Sequence, residues 1–439
     1  MINSTDKEQD ILTLQTLAKQ GKADAQYMLG MNYYHGEKAG FSVKQNYKQA
    51  KKYFQKAANQ GHKDAQHTLG NCYYHGDGAK QDYKQAIYWY QKAANQGHKD
   101  AQYHLGTCYQ NGYGTKQDYK QAIYWYQKAA NQGHKDAQYY TGTCYHYGHG
   151  IKQDYQKALE YFQKAADQNH PEAQHSLASC YYHGYGTKQD RKQAMKYFQK
   201  AADQNHPEAQ RSIGICYFNG VGIKQDYQKA LEYFQKAADQ NHPEAQHDLG
   251  TCYYIGDCTK QDYQKAIEYF QKAANQNHAA AQYTLGSLYY EGKGTPQNIP
   301  QAIKHFQKAA QQGITHAQYA LGELYHYGDG VKQDYKQAIY WYQKAANQGH
   351  AIAQYTLSNM YFEGQGVKQN YPQMIKWCTK AADQGLSDAQ NTLGVCYYKG
   401  QGTKQDTTQA KKWFQKAADQ GNQDAQNNLQ ILQQNNPPQ

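Results

Sequence analysis

The sequence predicts an all-α fold, a right-handed superhelical α-solenoid of helix-turn-helix repeats, on three observations. Ala-Gln pairs stand at 25, 65, 101, 137, 173, 209, 245, 281, 317, 353, 389 and 425, so that after one interval of 40 every interval is 36 residues. A fixed period of this length marks stacked supersecondary units. Residues 80–103 recur identically at 116–139, and 155–175 at 227–247, so copies can be read against one another. Within each copy, apolar residues at helical spacing alternate with glycine and Asp/Asn punctuation.

In the copy opening at Ala101, the residues Ala101, Leu105, Cys108 and Tyr109 follow the i, i+4, i+7, i+8 pattern of an amphipathic helix, expected from about Asp100 to Asn111. Gly112 ends it, in a column that is glycine in all eleven copies and suits a left-handed C′ residue. A second helix starts at the N-cap Asp118, whose column holds Asp or Asn throughout. Gln85, Gln121 and Gln337 stand three residues after Asp82, Asp118 and Asp334, the spacing of a capping box. The second helix is expected to bury Tyr119, Ala122, Ile123, Tyr126, Ala129 and Ala130. Gly106 lies inside the first helix, where glycine costs about 1 kcal/mol relative to alanine. Its column departs from Gly only at Ala178 and Ser358, so the helices are expected to pack too closely there for a larger side chain.

The organisation read from this is a flexible N-terminal tail over 1–6, a capping half-repeat over 7–24, eleven repeats over 25–424, and a capping helix with a short tail over 425–439. Ile11, Leu14, Leu17 and Ala18 occupy second-helix positions of the first cap, and such half-repeats cover the terminal apolar faces of a solenoid.

Composition narrows the function classes. No run of about eighteen apolar residues offers a transmembrane helix, and INSTDKEQD has neither the basic nor the apolar region of a secretory signal, so a cytoplasmic protein is expected. The formal charge of +11 is spread evenly along the repeats instead of forming one patch, which argues against nucleic acid.

The pattern A-Q-x-x-L-G-x-x-Y-x-x-G-x-G-x-x-x-D-Y-x-x-A-x-x-W/Y-x-x-K-A-A-x-x-G, read from Ala65 to Gly97, resembles the Sel1-like repeat family, α-solenoid relatives of the tetratricopeptide repeat. The resemblance implies a non-catalytic adaptor that binds proteins, in bacteria often in signalling, host contact or envelope processes. Two alternatives accompany it: an inhibitor or immunity-type protein clamping one toxin or enzyme, and a penicillin-interacting hydrolase like some cysteine-rich relatives. Those relatives pair two cysteines within each repeat, whereas here seven of the eleven copies have a single one in the shared column.

Cys72, Cys108, Cys144, Cys180, Cys216, Cys252 and Cys396 share that column with Leu288, Leu324 and Met360, and with Asn32 in the first copy, the signature of a packing position. Cys258, in a loop, reads first as drift between copies and otherwise as the candidate reactive thiol, and Cys378 replaces a buried Tyr or Phe. The recurrent histidines His62, His98, His134, His170, His206, His242, His278 and His350 fall in inter-repeat turns and read as turn or cap residues, not metal ligands. No cofactor or metal motif is present. The G-x-G elements follow helices and lack the Lys-Ser/Thr of a P-loop. The lysine row late in the second helix, Lys56 to Lys416, reads as a solvated outer wall favoured by the helix dipole, with polyanion or membrane-surface contact as the alternative. The loop 37–43 of the longer first copy is a secondary contact candidate.

If the first helices line a concave wall, positions three, seven and ten from the repeat's Ala face a groove that takes a protein or peptide. Position three reads Tyr27, His67, Tyr103, Tyr139, His175, Arg211, His247, Tyr283, Tyr319, Tyr355 and Asn391. Position ten reads Tyr34, Tyr74, Gln110, His146, Tyr182, Phe218, Tyr254, Tyr290, His326, Phe362 and Tyr398. Tyrosine suits binding surfaces, and the competing expectation is that these rings stack on one another along the array. The Trp89, Trp125, Trp341, Trp377 and Trp413 column is expected to pack between repeats.

Overall fold

The computed structural model describes residues 4–36 and 43–435, so the contact candidate at 37–43 lies almost wholly outside the described residues. Among the described residues it is all helical, with twenty-four helices from Ser4–Lys19 to Gln423–Asn435, each packed on its chain neighbours within two compact units, 1–226 and 227–439.

Local chemistry sets each boundary. The first helix of the Ala101 copy spans Lys99–Asn111 and ends at Gly112 with φ 72° and ψ 24°. Its N-cap is His98, whose Nδ1 accepts from the Ala101 amide at 3.2 Å. Histidine is not among the favoured caps, yet it recurs, and where Ile314 or Leu386 replaces it no side-chain cap forms. The turn before this cap needs a positive φ, supplied by Gly97 at 83° and, in other copies, by Asn169 at 59° or Asn205 at 67°.

The second helix, Tyr119–Asn131, is capped as expected by Asp118, which accepts from the amides of Lys120 and Gln121. The reciprocal half of the capping box does not form. The Asp118 amide donates instead to the Tyr109 carbonyl, and Asp82 and Asp334 repeat this with Tyr73 and Tyr325, tying each cap to the preceding helix. Tyr119 is also corrected: it is 37% exposed and stacks on His149, because the first residue of the helix sits at the rim of its buried stripe. Ala122, Ile123, Tyr126, Ala129 and Ala130 are buried.

The close packing at Gly106 is literal, since a Cβ there would lie 2.6 Å from Cδ1 of Tyr126. The Ser358 copy shows the complement. Its facing ring is replaced by Cys378, Met374 stands where other copies have alanine, and the Ser358 hydroxyl donates to the Met374 carbonyl at 3.0 Å. All three are buried, so a hydroxymethyl group and a longer thioether fill what the missing ring leaves.

The Ala-Gln pair has a structural cause that its use as a register mark did not reveal. Gln102 is 4% exposed, donates to the Ala94 carbonyl at 3.1 Å and accepts from Gln132 at 2.8 Å. The same two bonds recur at Gln66 with Ala58 and Gln96, and at Gln282 with Ala274 and Gln312. Each buried amide thus satisfies a carbonyl at a helix C-terminus and links it to the next repeat.

The packing columns are as expected for the cysteines, all free and buried. The tryptophans are buried too, with Trp89 in the cluster of Phe54, Leu69 and Cys72 and Trp125 in that of Tyr90, Leu105 and Cys108. Cys258 is corrected. It is 6% exposed, with its sulfur 2.7 Å from that of Cys252. Other copies place glycine there at positive φ against the preceding helix, as Gly114 does against Tyr83, and a cysteine turns inward instead. The hydrogen bond to Cys258, with burial behind it, holds the Cys252 thiol well above its ordinary range.

Late-helix lysines lie over rings of their own helix, Lys92 at 4.6 Å from the Tyr88 centroid and Lys416 at 4.2 Å from Trp413, adding cation–π contact to the dipole term. At the N-terminus the helix begins at Ser4, so half of the stretch expected as a flexible tail is helical, its Ser, Thr and Asp being residue types that favour helix starts. Ile11 and Leu14 pack with Ala18, while Leu17 is exposed, contrary to expectation, and takes no part in that cluster.

Candidate functional site

The residues at position three are half-buried, and most share one contact. Tyr27, Tyr103, Tyr139 and Tyr319 lie against the cap histidine of the following repeat, with centroids 4.7, 4.6, 4.9 and 4.7 Å from His62, His134, His170 and His350. His67, His175 and His247 do the same with His98, His206 and His278 at 4.4, 5.2 and 4.8 Å. The others use different partners. Arg211 pairs with Glu208 at 3.3 Å, Tyr283 packs on Phe306, Tyr355 shares a hydrogen bond with Thr392, and Asn391 accepts from Asn428. Ring stacking along the array, the competing expectation, therefore describes much of this column. One edge of each ring serves the repeat interface and the other borders the space between first helices.

Position ten is more open. Tyr290 and Phe362 are exposed, while Tyr182, Phe218, Tyr254 and Tyr398 are half-buried. Tyr34 donates to Asp77 at 2.6 Å and Tyr290 to Asp329 at 2.8 Å, in each case to the loop of the next copy. Gln110 accepts from the Tyr126 hydroxyl at 3.0 Å. Tyr74, His146 and His326 meet Tyr83, Tyr155 and Tyr335 edge-on.

Positions three, seven and ten of adjacent copies converge in two clefts. One, of about 230 Å³, is lined by His175, Ser179, Tyr182 and Ile215. The larger, about 660 Å³, brings together Tyr283, Ser287, Tyr290, Tyr319 and Glu323. Position eleven was missed by the face argument, although Glu291 and Tyr327 line the larger cleft and Tyr147 and Tyr327 are 63% and 70% exposed. A signal was present, because that column varies widely between copies: His35, His75, Asn111, Tyr147, His183, Asn219, Ile255, Glu291, Tyr327, Glu363 and Lys399.

Burial governs the titration of the site. It pushes the His67 imidazole down to about 3, helped by His104 and His98, and His104 down to about 4. Desolvation likewise lowers His98 and His134, whose Nδ1 must stay unprotonated to cap a helix while Nε2 faces Asp64 or Asp100. Among the described residues no three His, Cys, Asp or Glu side chains gather to hold a metal ion. No described helix is long and apolar enough to cross a membrane.

The model of the Sel1 repeat matches eleven consecutive segments, from 23–62 and 63–98 through 387–422. Among solved structures, the chain is similar to c5321, a protective antigen of uropathogenic Escherichia coli displaying an SLR fold. The identity is 35%, over 96% of this chain and 90% of that one, with a TM-score of 0.68. It is also similar to a Sel1 repeat protein from Oxalobacter formigenes, at 33% identity over 70% of this chain and 89% of that one, with a TM-score of 0.56. No curated protein sequence matches. Eleven tandem matches on the observed helix pairs place the chain in the Sel1 repeat family.

Proposed function

We propose that the chain is a non-catalytic scaffold that binds a protein or peptide partner along its first helices, at positions three, seven, ten and eleven. The observation that carries this reading is the pair of aromatic clefts between successive first helices, to which the varied columns at positions seven and eleven contribute. Exposed aromatic side chains beside half-buried ones offer area at low entropic cost, as binding surfaces do. Nine buried, unpaired thiols suit a reducing compartment. The test is affinity capture by the full chain from cells of its own organism, followed by hydrogen-exchange mapping with the recovered partner. Protection is expected on the helices Lys135–Tyr147 and Thr315–Tyr327, whereas protection confined to the second helices would refute the assignment of the face.

A further inference from the structure

The cleft between the helices Ala279–Glu291 and Thr315–Tyr327 departs in charge from a chain whose formal net charge is +11. Tyr283, Tyr290, Tyr319 and Tyr327 wall it, and Glu291, Glu323 and Asp329 line it with them. The acids arrive from three different columns. Glu323 holds position seven, where the other copies have only uncharged residues, such as Thr107, Ser179 and Asn359.

The partners of these carboxylates separate them. Glu291 is paired with Lys293 at 2.5 Å. Glu323 accepts from the Tyr342 hydroxyl at 2.7 Å and Asp329 from the Tyr290 hydroxyl at 2.8 Å, and neither forms an ion pair among the described residues. His316 is the only Lys, Arg or His in the lining. The smaller cleft makes the contrast, because its one acid, Glu208, is already paired with Arg211.

Tyrosine faces carry the negative side of the ring quadrupole, so a cation between them and two unpaired carboxylates is attracted by both. We infer that the cleft between Tyr283, Tyr290, Tyr319 and Tyr327 seats a basic side chain, arginine or lysine, of a bound polypeptide, held by Glu323 and Asp329. The polypeptide context rests on the scaffold reading above. The charge chemistry does not.

The probe is N-acetyl-arginine methylamide, titrated into the full chain by ligand-detected NMR beside its uncharged isostere, N-acetyl-citrulline methylamide. The arginine probe is expected to bind about tenfold or more tightly than the citrulline one, and E323Q/D329N to remove most of that difference. Both substitutions keep an acceptor for the tyrosine hydroxyl, so the fold is retained. If the double variant nonetheless melts early, Tyr327→Ala decides, since that ring is 70% exposed; its loss should weaken the arginine probe about threefold. Equal binding of the two probes, or an arginine affinity indifferent to E323Q/D329N and to Tyr327→Ala, would overturn the inference. A captured partner that ignores E323Q/D329N sinks the cleft and leaves the scaffold. Arginine binding with no protein ever captured does the reverse.

Discussion

Replacing Gln102 by alanine tests the link between repeats. The side chain is buried, and its amide makes two hydrogen bonds, to the Ala94 carbonyl at 3.1 Å and from Gln132 at 2.8 Å. Each is worth about 1 kcal/mol net. The Ala94 carbonyl keeps the Gly97 amide as a partner, and Gln132 is exposed and regains water, so neither is left wholly unsatisfied. Lost packing of the side chain brings the total to about 2–3 kcal/mol. A repeat array does not unfold as one unit, so a global melt blurs this loss. Native-state hydrogen exchange of the Gln96–Gln102 amides reads it locally, with exchange faster by roughly 30- to 150-fold. Gln132→Ala leaves the buried Gln102 oxygen unpaired and is expected to cost a comparable amount, so the double variant is less than additive. Unchanged protection in Gln102→Ala, or strict additivity, would show that the amide row is incidental to stability.

Acid should loosen the array. For a base whose folded pKa is lowered, stability is complete above the unfolded value of about 6.5 and is lost as pH falls toward the folded value. His67 and His104 set the lower end at about 3 and about 4, and protonation of His98 or His134 also removes a helix cap. Thermal melts from pH 7.5 to 4.5 should show a falling midpoint, flattened by His98→Asn, which keeps a capping oxygen; a midpoint independent of pH contradicts the cap role. Cys378→Tyr alone should destabilise by about 1–3 kcal/mol, because Ser358 and Met374 already fill the space of the ring. Adding Ser358→Gly and Met374→Ala should recover that loss in chemical denaturation, and failure to recover would deny the compensation. The hydrogen bond from Cys252 lowers the pKa of the Cys258 thiol, but its 6% exposure should still keep it from reacting with iodoacetamide faster than the other buried thiols, as read by mass spectrometry of the native chain.

Much of the fold was legible because the repeats supply their own comparison. Eleven glycines at the Gly112 column and an unbroken Asp/Asn cap column leave few alternatives. What stayed hidden involved relations between copies. The Gln66–Gln96 bond joins residues thirty apart whose amides look like ordinary polar surface in the sequence. Cys258 read as exposed because its loop is, yet a residue that cannot follow glycine to positive φ turned toward Cys252. In the site, helical angles pointed to positions three and ten, of which Tyr283, Tyr290, Tyr319, His175 and Tyr182 line clefts, but said nothing of how deep each lies. Position three is half-covered by a cap histidine from the next repeat, and position eleven, put aside by the same angles, carries the most exposed tyrosine, Tyr327.

The scaffold reading stands or falls on capture by the face of the first helices. The full chain and its Tyr147→Ala/Tyr327→Ala variant, both of whose rings are largely exposed, should melt at the same temperature. Immobilised in parallel against lysate of the source organism, the wild type is predicted to retain a specific protein that the variant retains about tenfold less. Equal retention by both, or by neither, would contradict it.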